Sequence, residues 1–391
     1  MTSKLKLLLV RKRNQLLTNP RFQRWAAGFF LTRPIVRQSA SDVFDLVSGF
    51  IYSQILLACV RLNLFEILND TPHAHALDSL AKRLDLTPSA AKRLLDAAIS
   101  LNLVTRIGPR GNNLADETNV RYALGMSGAP LVGNKAVLAM VEHHAMVYAD
   151  FRDPIALLRG LEGAQDTALS SYWPYAANEV DANVANARVA AYTKLMSASQ
   201  PLVADEILDA YRFDRHHCLL DVGGGDGSFL ASVATRHPNL QLQLFDLPAV
   251  ALLAQEKFAQ LGIAARATAT GGNFLVAPMP IGADIISFVR IIHDHDDARV
   301  RQLLSAARVA LLQSANGGGR VLIAEPMADT AGAKRMGDAY FGFYLLAMGR
   351  GRARTPSEIA ELLISSGFSS PTLLSTRLPM QTSVLVADLN H

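Results

Sequence analysis

One stretch constrains this chain more than any other: Leu219-Leu220-Asp221-Val222-Gly223-Gly224-Gly225-Asp226-Gly227-Ser228. An apolar strand ends in an acidic residue and runs straight into three glycines. Leu242-Gln243-Leu244-Phe245 then reads as a second strand, ending in Asp246. Glycine lets a backbone turn sharply and approach a ligand closely. An acid at the tip of the next strand can accept hydrogen bonds from two ribose hydroxyls. The pair therefore describes a nucleoside pocket at the carboxyl edge of a parallel sheet. The dinucleotide fingerprint needs a third spaced glycine where Ser228 stands, and no Lys-Ser or Lys-Thr follows to make a phosphate loop. A glycine turn that only caps a helix is the competing reading.

The length of 391 residues predicts two domains. No run reaches the roughly 18 unbroken apolar residues of a membrane span. Two cysteines, Cys59 and Cys218, lie in apolar segments, which predicts buried thiols in a reducing, cytoplasmic compartment. The net charge of +4 is unevenly placed: Lys4, Lys6, Arg11, Lys12, Arg13, Arg21, Arg24, Arg33 and Arg37 all precede the first acid, Asp42. This start does not read as a signal peptide, because Leu7–Val10 is too short an apolar stretch and Arg-Lys-Arg follows it. Residues 1–40 form a basic segment. A solvated tail, a membrane-surface helix on the inner face of the cytoplasmic membrane and a nucleic-acid arm are its three readings.

Residues 41–200 predict a mostly helical domain. The stretch 41–70 carries more apolar residues than one exposed amphipathic helix needs, which predicts packing on two sides, including against a second subunit. Leu77–Leu84, a Thr87-Pro88 start and Ala90–Leu101 make helix, turn, helix. Val104–Arg106 and Val120–Leu124 add two short strands, completing a winged helix. Its second helix carries Lys92 and Arg93 but also Asp96, which favours a structural or dimerising role over DNA binding. Tyr172-Trp173-Pro174-Tyr175 reads equally as core packing or as the aromatic wall of an apolar pocket. From residue 201 strands and helices alternate. Cys218–Val222, Leu242–Phe245, Arg266–Thr270, Asp284–Val289, Val321–Ala324, Thr372–Ser375 and Ser383–Val386 predict a doubly wound α/β sheet with an antiparallel strand at or near one edge.

A buried strand delivers His293-Asp294-His295-Asp296-Asp297 to the same sheet edge as the glycines. His293-x-His295-x-Asp297 begins a metal motif, but Ala298 stands where a further histidine is needed. A lone histidine acting as general base and a helix-capping cluster are the other readings.

Taken in order, these segments resemble the S-adenosylmethionine-dependent O-methyltransferases of the caffeate/acetylserotonin type, over roughly residues 41–391. The resemblance rests on Asp221-Val222-Gly223-Gly224-Gly225-Asp226-Gly227, Asp246, Gly272-Asn273-Phe274-Leu275, Ile292–Asp297, Ile323-Ala324-Glu325-Pro326 and Arg350–Thr355. It implies a Rossmann-like catalytic domain over 201–391, an N-terminal winged-helix dimerisation domain, a homodimer and S-adenosylmethionine as cofactor. It implies that Asp221, Gly223, Gly225, Asp246, Asn273, Phe274 and Arg290 form the cofactor site. His293 would take the substrate proton and Glu325 would orient its imidazole, with no metal and no nucleic acid involved. The chain departs from the family pattern at four places. Asn273 replaces an Asp, His295 a Trp, Val289 a frequent Lys, and Ala353 the second of two glutamates beside the histidine. A finer resemblance, carried by Asn19–Ala27, Phe50–Val60 and Met348–Arg352, is to the branch that methylates the tertiary hydroxyl of acyclic carotenoids. Carbon methylation of a bacteriochlorophyll precursor, methylation of a small phenol and, more remotely, a DNA-binding regulator with a relict methyltransferase fold stay open.

Overall fold

The computed structural model describes residues 3–108, 119–160, 167–172, 182–314 and 319–390. Its contacts divide the chain into two units, 1–133 and 134–391. The division falls well before residue 200, where the composition shifts. Helix Lys135–Asp150 belongs to the second unit because His143 and His144 hydrogen-bond to Tyr344 and Tyr340 at 2.8 and 2.7 Å.

The first unit opens with three helices, Ser3–Leu17, Pro20–Gly28 and Arg33–Arg61. The third starts eight residues earlier than the apolar stretch predicts, because Pro34 suits the first turn of a helix. Helices Leu77–Arg83 and Pro88–Ser100 follow. Thr87 caps the latter by accepting from the Ala90 N–H, as the Thr-Pro pair predicts. Strands β1 (Val104–Ile107) and β2 (Arg121–Leu124) pair antiparallel, giving the winged helix-turn-helix. Lys92 pairs with Asp96 at 2.9 Å on the helix surface. Leu64, Phe65, Leu80, Leu95 and Tyr122 make the core, joined by Cys59, whose thiol is pushed up to about 12 by burial. Helix Arg33–Arg61 is long and apolar enough to cross a membrane by length and composition. Its face from Val43 to Ile51 is largely exposed in the single chain, Leu46 by 82%.

The second unit is a seven-stranded sheet in the order β5-β4-β3-β6-β7-β9-β8. Its strands are β3 (Cys218–Val222), β4 (Gln241–Asp246), β5 (Ala267–Gly271), β6 (Ile285–Val289), β7 (Arg320–Glu325), β8 (Thr372–Leu374) and β9 (Ser383–Asp388). The first five run parallel, and β9 pairs antiparallel with both β7 and β8. Every residue of β3 and β6 is buried, as expected for strands covered on both faces. One face carries Val222, Phe288, Leu304 and Leu363, the other Leu219, Phe229, Phe258 and Leu322. Cys218 is buried too, its thiol pushed up to about 11. Strand order reverses between β3 and β6. In open α/β sheets the crevice beyond the strand ends at such a point is where ligands bind.

Candidate active site

Two loops leave the sheet at that reversal. The loop after β3 holds Gly223, whose φ of +71° suits a residue without a Cβ, and whose N–H donates to the Phe245 carbonyl at 2.8 Å. Gly225 donates its N–H to Asp246 Oδ2 at 2.8 Å. Asp246 ends β4, is fully buried, and accepts the Leu247 N–H on Oδ1 at 2.7 Å. The carboxylate thus braces the glycine loop from beneath, and Asp246 itself is not among the residues that line the cavity.

The loops border a cavity that encloses about 710 Å³ when its open mouth is counted. Asp221, Gly223, Gly225, Phe274, Arg290 and His295 line it. Asp221 lies opposite Ser287 in register, and the Ser287 hydroxyl donates to its Oδ1 at 2.6 Å. Burial pushes this carboxyl up to about 7, against the Ser287 hydrogen bond and with the help of nearby Asp246. Its Oδ2 is buried without a hydrogen-bond partner among the described residues, and the residue is part of the cavity lining. Phe274 meets the His295 ring edge-on at 5.7 Å. Arg290, at the end of β6, holds a left-handed φ of +58°. Such a backbone is uncommon outside glycine and tends to mark functional sites. Its guanidinium donates to Ser199 Oγ at 2.7 Å, the Met196 carbonyl at 3.1 Å and Gln200 Oε1, so it also anchors helix Ala182–Ala210 to the cavity wall. Asn273 is not part of the lining. It is exposed, and its Oδ1 accepts the Leu275 N–H at 3.0 Å, capping its own turn.

His293 follows in a short turn and is buried. Its backbone N–H donates to Glu325 Oε2 at 3.1 Å, and its Nδ1 lies 3.7 Å from the same oxygen. Its Nε2 lies 3.2 Å from Asp294 Oδ1. Glu325 ends β7, fully buried, and among the described residues its Oε1 has no hydrogen-bond partner. Burial disfavours a charged imidazole, but the two carboxylates outweigh it and raise the His293 pKa, with Arg290 opposing. The Phe341 ring stacks on the imidazole at 6.0 Å from a π-helical segment, Arg335–Phe341. Such segments recur at functional sites.

Sequence reasoning missed three of these residues. Asp294 read as a first-turn helix charge, yet it is the carboxylate nearest Nε2. Phe341 sits in no motif. Arg354 is fully buried, where an arginine is rarely found. Its Nη1 donates to the Ile292 carbonyl at 2.8 Å, its Nη2 to the His295 carbonyl at 2.7 Å, and it pairs with Asp297 at 2.7 Å. It therefore grips both sides of His293. With Asp297 held by Arg354 and His293 by Glu325, the His-x-His-x-Asp triplet is not gathered. Among the described residues no cluster of His, Cys, Asp and Glu could hold a metal. Of the aromatic run, Trp173 to Tyr175 lie outside the described residues.

The chain matches the O-methyltransferase domain over residues 170–369 and the O-methyltransferase dimerisation domain over residues 44–125. It is 37% identical over 370 residues to demethylspheroidene O-methyltransferase of Cereibacter sphaeroides, covering 94% of this chain and 92% of that protein. The Rhodobacter capsulatus protein of the same name is 36% identical over 361 residues, with 92% and 84% covered. Mouse acetylserotonin O-methyltransferase is 27% identical over 344 residues, 86% of each chain. Human N-acetylserotonin methyltransferase, crystallised with its methyl donor, shares the fold, with a TM-score of 0.71 at 20% identity over 90% of this chain and 98% of that one.

Proposed function

The chain belongs to the S-adenosylmethionine-dependent O-methyltransferases, and from that premise we propose that it methylates the tertiary hydroxyl of an acyclic carotenoid, with His293 as the general base. The observation that carries the substrate class is the 37% identity, along almost the whole of both chains, to a protein named for demethylspheroidene. The buried His293, set between Asp294 and Glu325, supports the base.

S-adenosylmethionine, when bound, supplies an electrophilic methyl group on a positively charged sulfur. The chain's residues are suited to hold it. Asp221 Oδ2 offers a buried, unpartnered acceptor, the loop at Gly223 and Gly225 allows close approach, and Phe274 offers an apolar wall. Arg290 shapes the same wall through helix Ala182–Ala210. Asp246 is assigned the ribose hydroxyls and Asn273 the rim of the adenine site. A tertiary alcohol is a far weaker acid than a phenol, whose pKa is about 10. Free alkoxide is negligible at neutral pH. His293 would therefore take the hydroxyl proton as the methyl group leaves sulfur for the oxygen, and the two carboxylates would stabilise the resulting imidazolium.

The direct test incubates purified protein with labelled cofactor and three acceptors: a hydroxylated acyclic carotenoid, a bacteriochlorophyllide and a simple phenol. Label on the carotenoid oxygen is the expected result. Label on tetrapyrrole carbon or on phenol alone would replace the substrate reading.

Two further outcomes follow. Asp246→Ala removes the acceptor that braces Gly225 and is assigned the ribose, and should weaken S-adenosylmethionine binding by about 2–3 kcal/mol in calorimetry. Unchanged affinity would remove Asp246 from the cofactor site. The exposed apolar face of Val43–Ile51 lies almost wholly within the dimerisation-domain match, so a homodimer is expected. Sedimentation at micromolar concentration checks it, and a monomer would count against the pairing.

A further inference from the structure

We propose that residues 3–40 form an arm that docks the protein on an anionic lipid bilayer. The arm is helical over Ser3–Leu17 and Pro20–Gly28, with Asn19 capping the second helix, so it is built rather than left as a polar tail. Yet it buries little of itself: between residues 4 and 40, Ala26 is the one buried residue. Its large apolar side chains face outward, with Leu7 70%, Trp25 54%, Phe30 67% and Ile35 70% exposed. Phe22, Trp25 and Phe29 form a continuous aromatic row, with ring centroids 5.5 and 5.1 Å apart. The nine lysines and arginines of the first 41 residues meet no acid in sequence. Among the described residues, none of the nine forms an ion pair.

Charge decides between occupants. A second copy would bring a second arm of the same sign, and unrelieved like charge at an interface is costly. The dimerisation-domain match begins at residue 44, beyond the arm. A nucleic acid would satisfy the cations but leave Leu7, Phe30 and Ile35 in water. A bilayer with anionic headgroups satisfies both halves, since Trp and Phe settle at the headgroup boundary while Lys and Arg meet the lipid charge. The inference is independent of which acceptor the enzyme methylates.

The test is flotation of the full chain with two kinds of vesicle, phosphatidylcholine alone and phosphatidylcholine mixed with phosphatidylglycerol. Binding is expected on the mixed vesicles and should weaken as salt is added. Arg21→Glu with Arg24→Glu should lower it by more than about tenfold, given roughly fivefold per cation at a membrane surface. Trp25→Ser with Phe30→Ser should lower it separately, and both variants should keep wild-type affinity for S-adenosylmethionine, which reports a folded protein. A full chain that stays in the aqueous fraction with both vesicles would overturn the proposal. So would variants that float like wild type, or an arm that binds duplex DNA while ignoring lipid.

Discussion

Replacing His293 with alanine is expected to slow methyl transfer by about 10²–10⁴-fold while leaving S-adenosylmethionine affinity nearly unchanged, the usual share of a positioned general base. The separation is expected because His293 lies outside the cofactor cavity's lining and is held by Glu325, Asp294 and Phe341. Single-turnover transfer, measured beside calorimetry of the cofactor, reads the two effects apart. A near wild-type rate would mean that the proton leaves by another route.

The pH profile carries the sign of the same assignment. The base must be neutral to accept a proton, and its pKa is raised above the ordinary histidine value of 6.5. Transfer should therefore rise with pH along a limb displaced above that value. The stability contributed by protonated His293 runs the other way. It is complete below the unfolded value and is lost as pH rises through the folded one. Glu325→Gln keeps an acceptor near the imidazole but removes one of the two charges that raise it. Its limb should move to lower pH, and its rate loss should be smaller than that of His293→Ala. Ala353 offers no second carboxylate, so the shift should be larger than in a relative that carries two glutamates.

The sheet was legible because most of its strands are short, largely apolar runs closed by glycine or acid. All seven strands of the second unit appear within two residues of the expected ends. Asp221, Gly223, Gly225, Phe274 and Arg290 do line one cavity, since a parallel sheet must bring the ends of β3 and β6 to one edge. What stayed hidden depends on contacts made far along the chain. Nothing local tells that Arg354 is buried, or that a π-helical segment sets Phe341 on His293. The local bond of Asn273 was hidden as well: a short polar side chain before a turn competes for the nearest backbone N–H, and here it takes that of Leu275. The helices before residue 200 were grouped with the winged helix by composition. His143 and His144 bind them to the second unit through two tyrosines two hundred residues on, a link no window of sequence contains.

Arg354→Met should destabilise the second unit by about 2–6 kcal/mol, because it strands two buried carbonyls at about 1–3 kcal/mol each, while Asp297, more than a third exposed, keeps Arg352. The guanidinium is fully buried, and three groups depend on its fixed fork: Asp297 and the carbonyls of Ile292 and His295. Methionine fills the volume but satisfies none of them. Arg354→Lys restores the charge without the fork and should recover only part of the loss. Denaturant unfolding, followed by a probe in this unit, measures the first effect. The second is catalytic, because these carbonyls lie on either side of His293 and its own carbonyl accepts from the Arg352 N–H at 2.9 Å. The neighbouring turn has no slack. Gly351 has a φ of +77°, and a Cβ there would come within 2.1 Å of the His293 carbonyl oxygen. Freed from Arg354, the loop is expected to relax by shifting His293 relative to Glu325. In the folded fraction of Arg354→Lys, kcat should therefore fall while KM for the cofactor holds, and the pH limb should shift toward the ordinary histidine value. A variant that is less stable yet keeps wild-type kcat and pH profile would reduce Arg354 to a support of the fold alone.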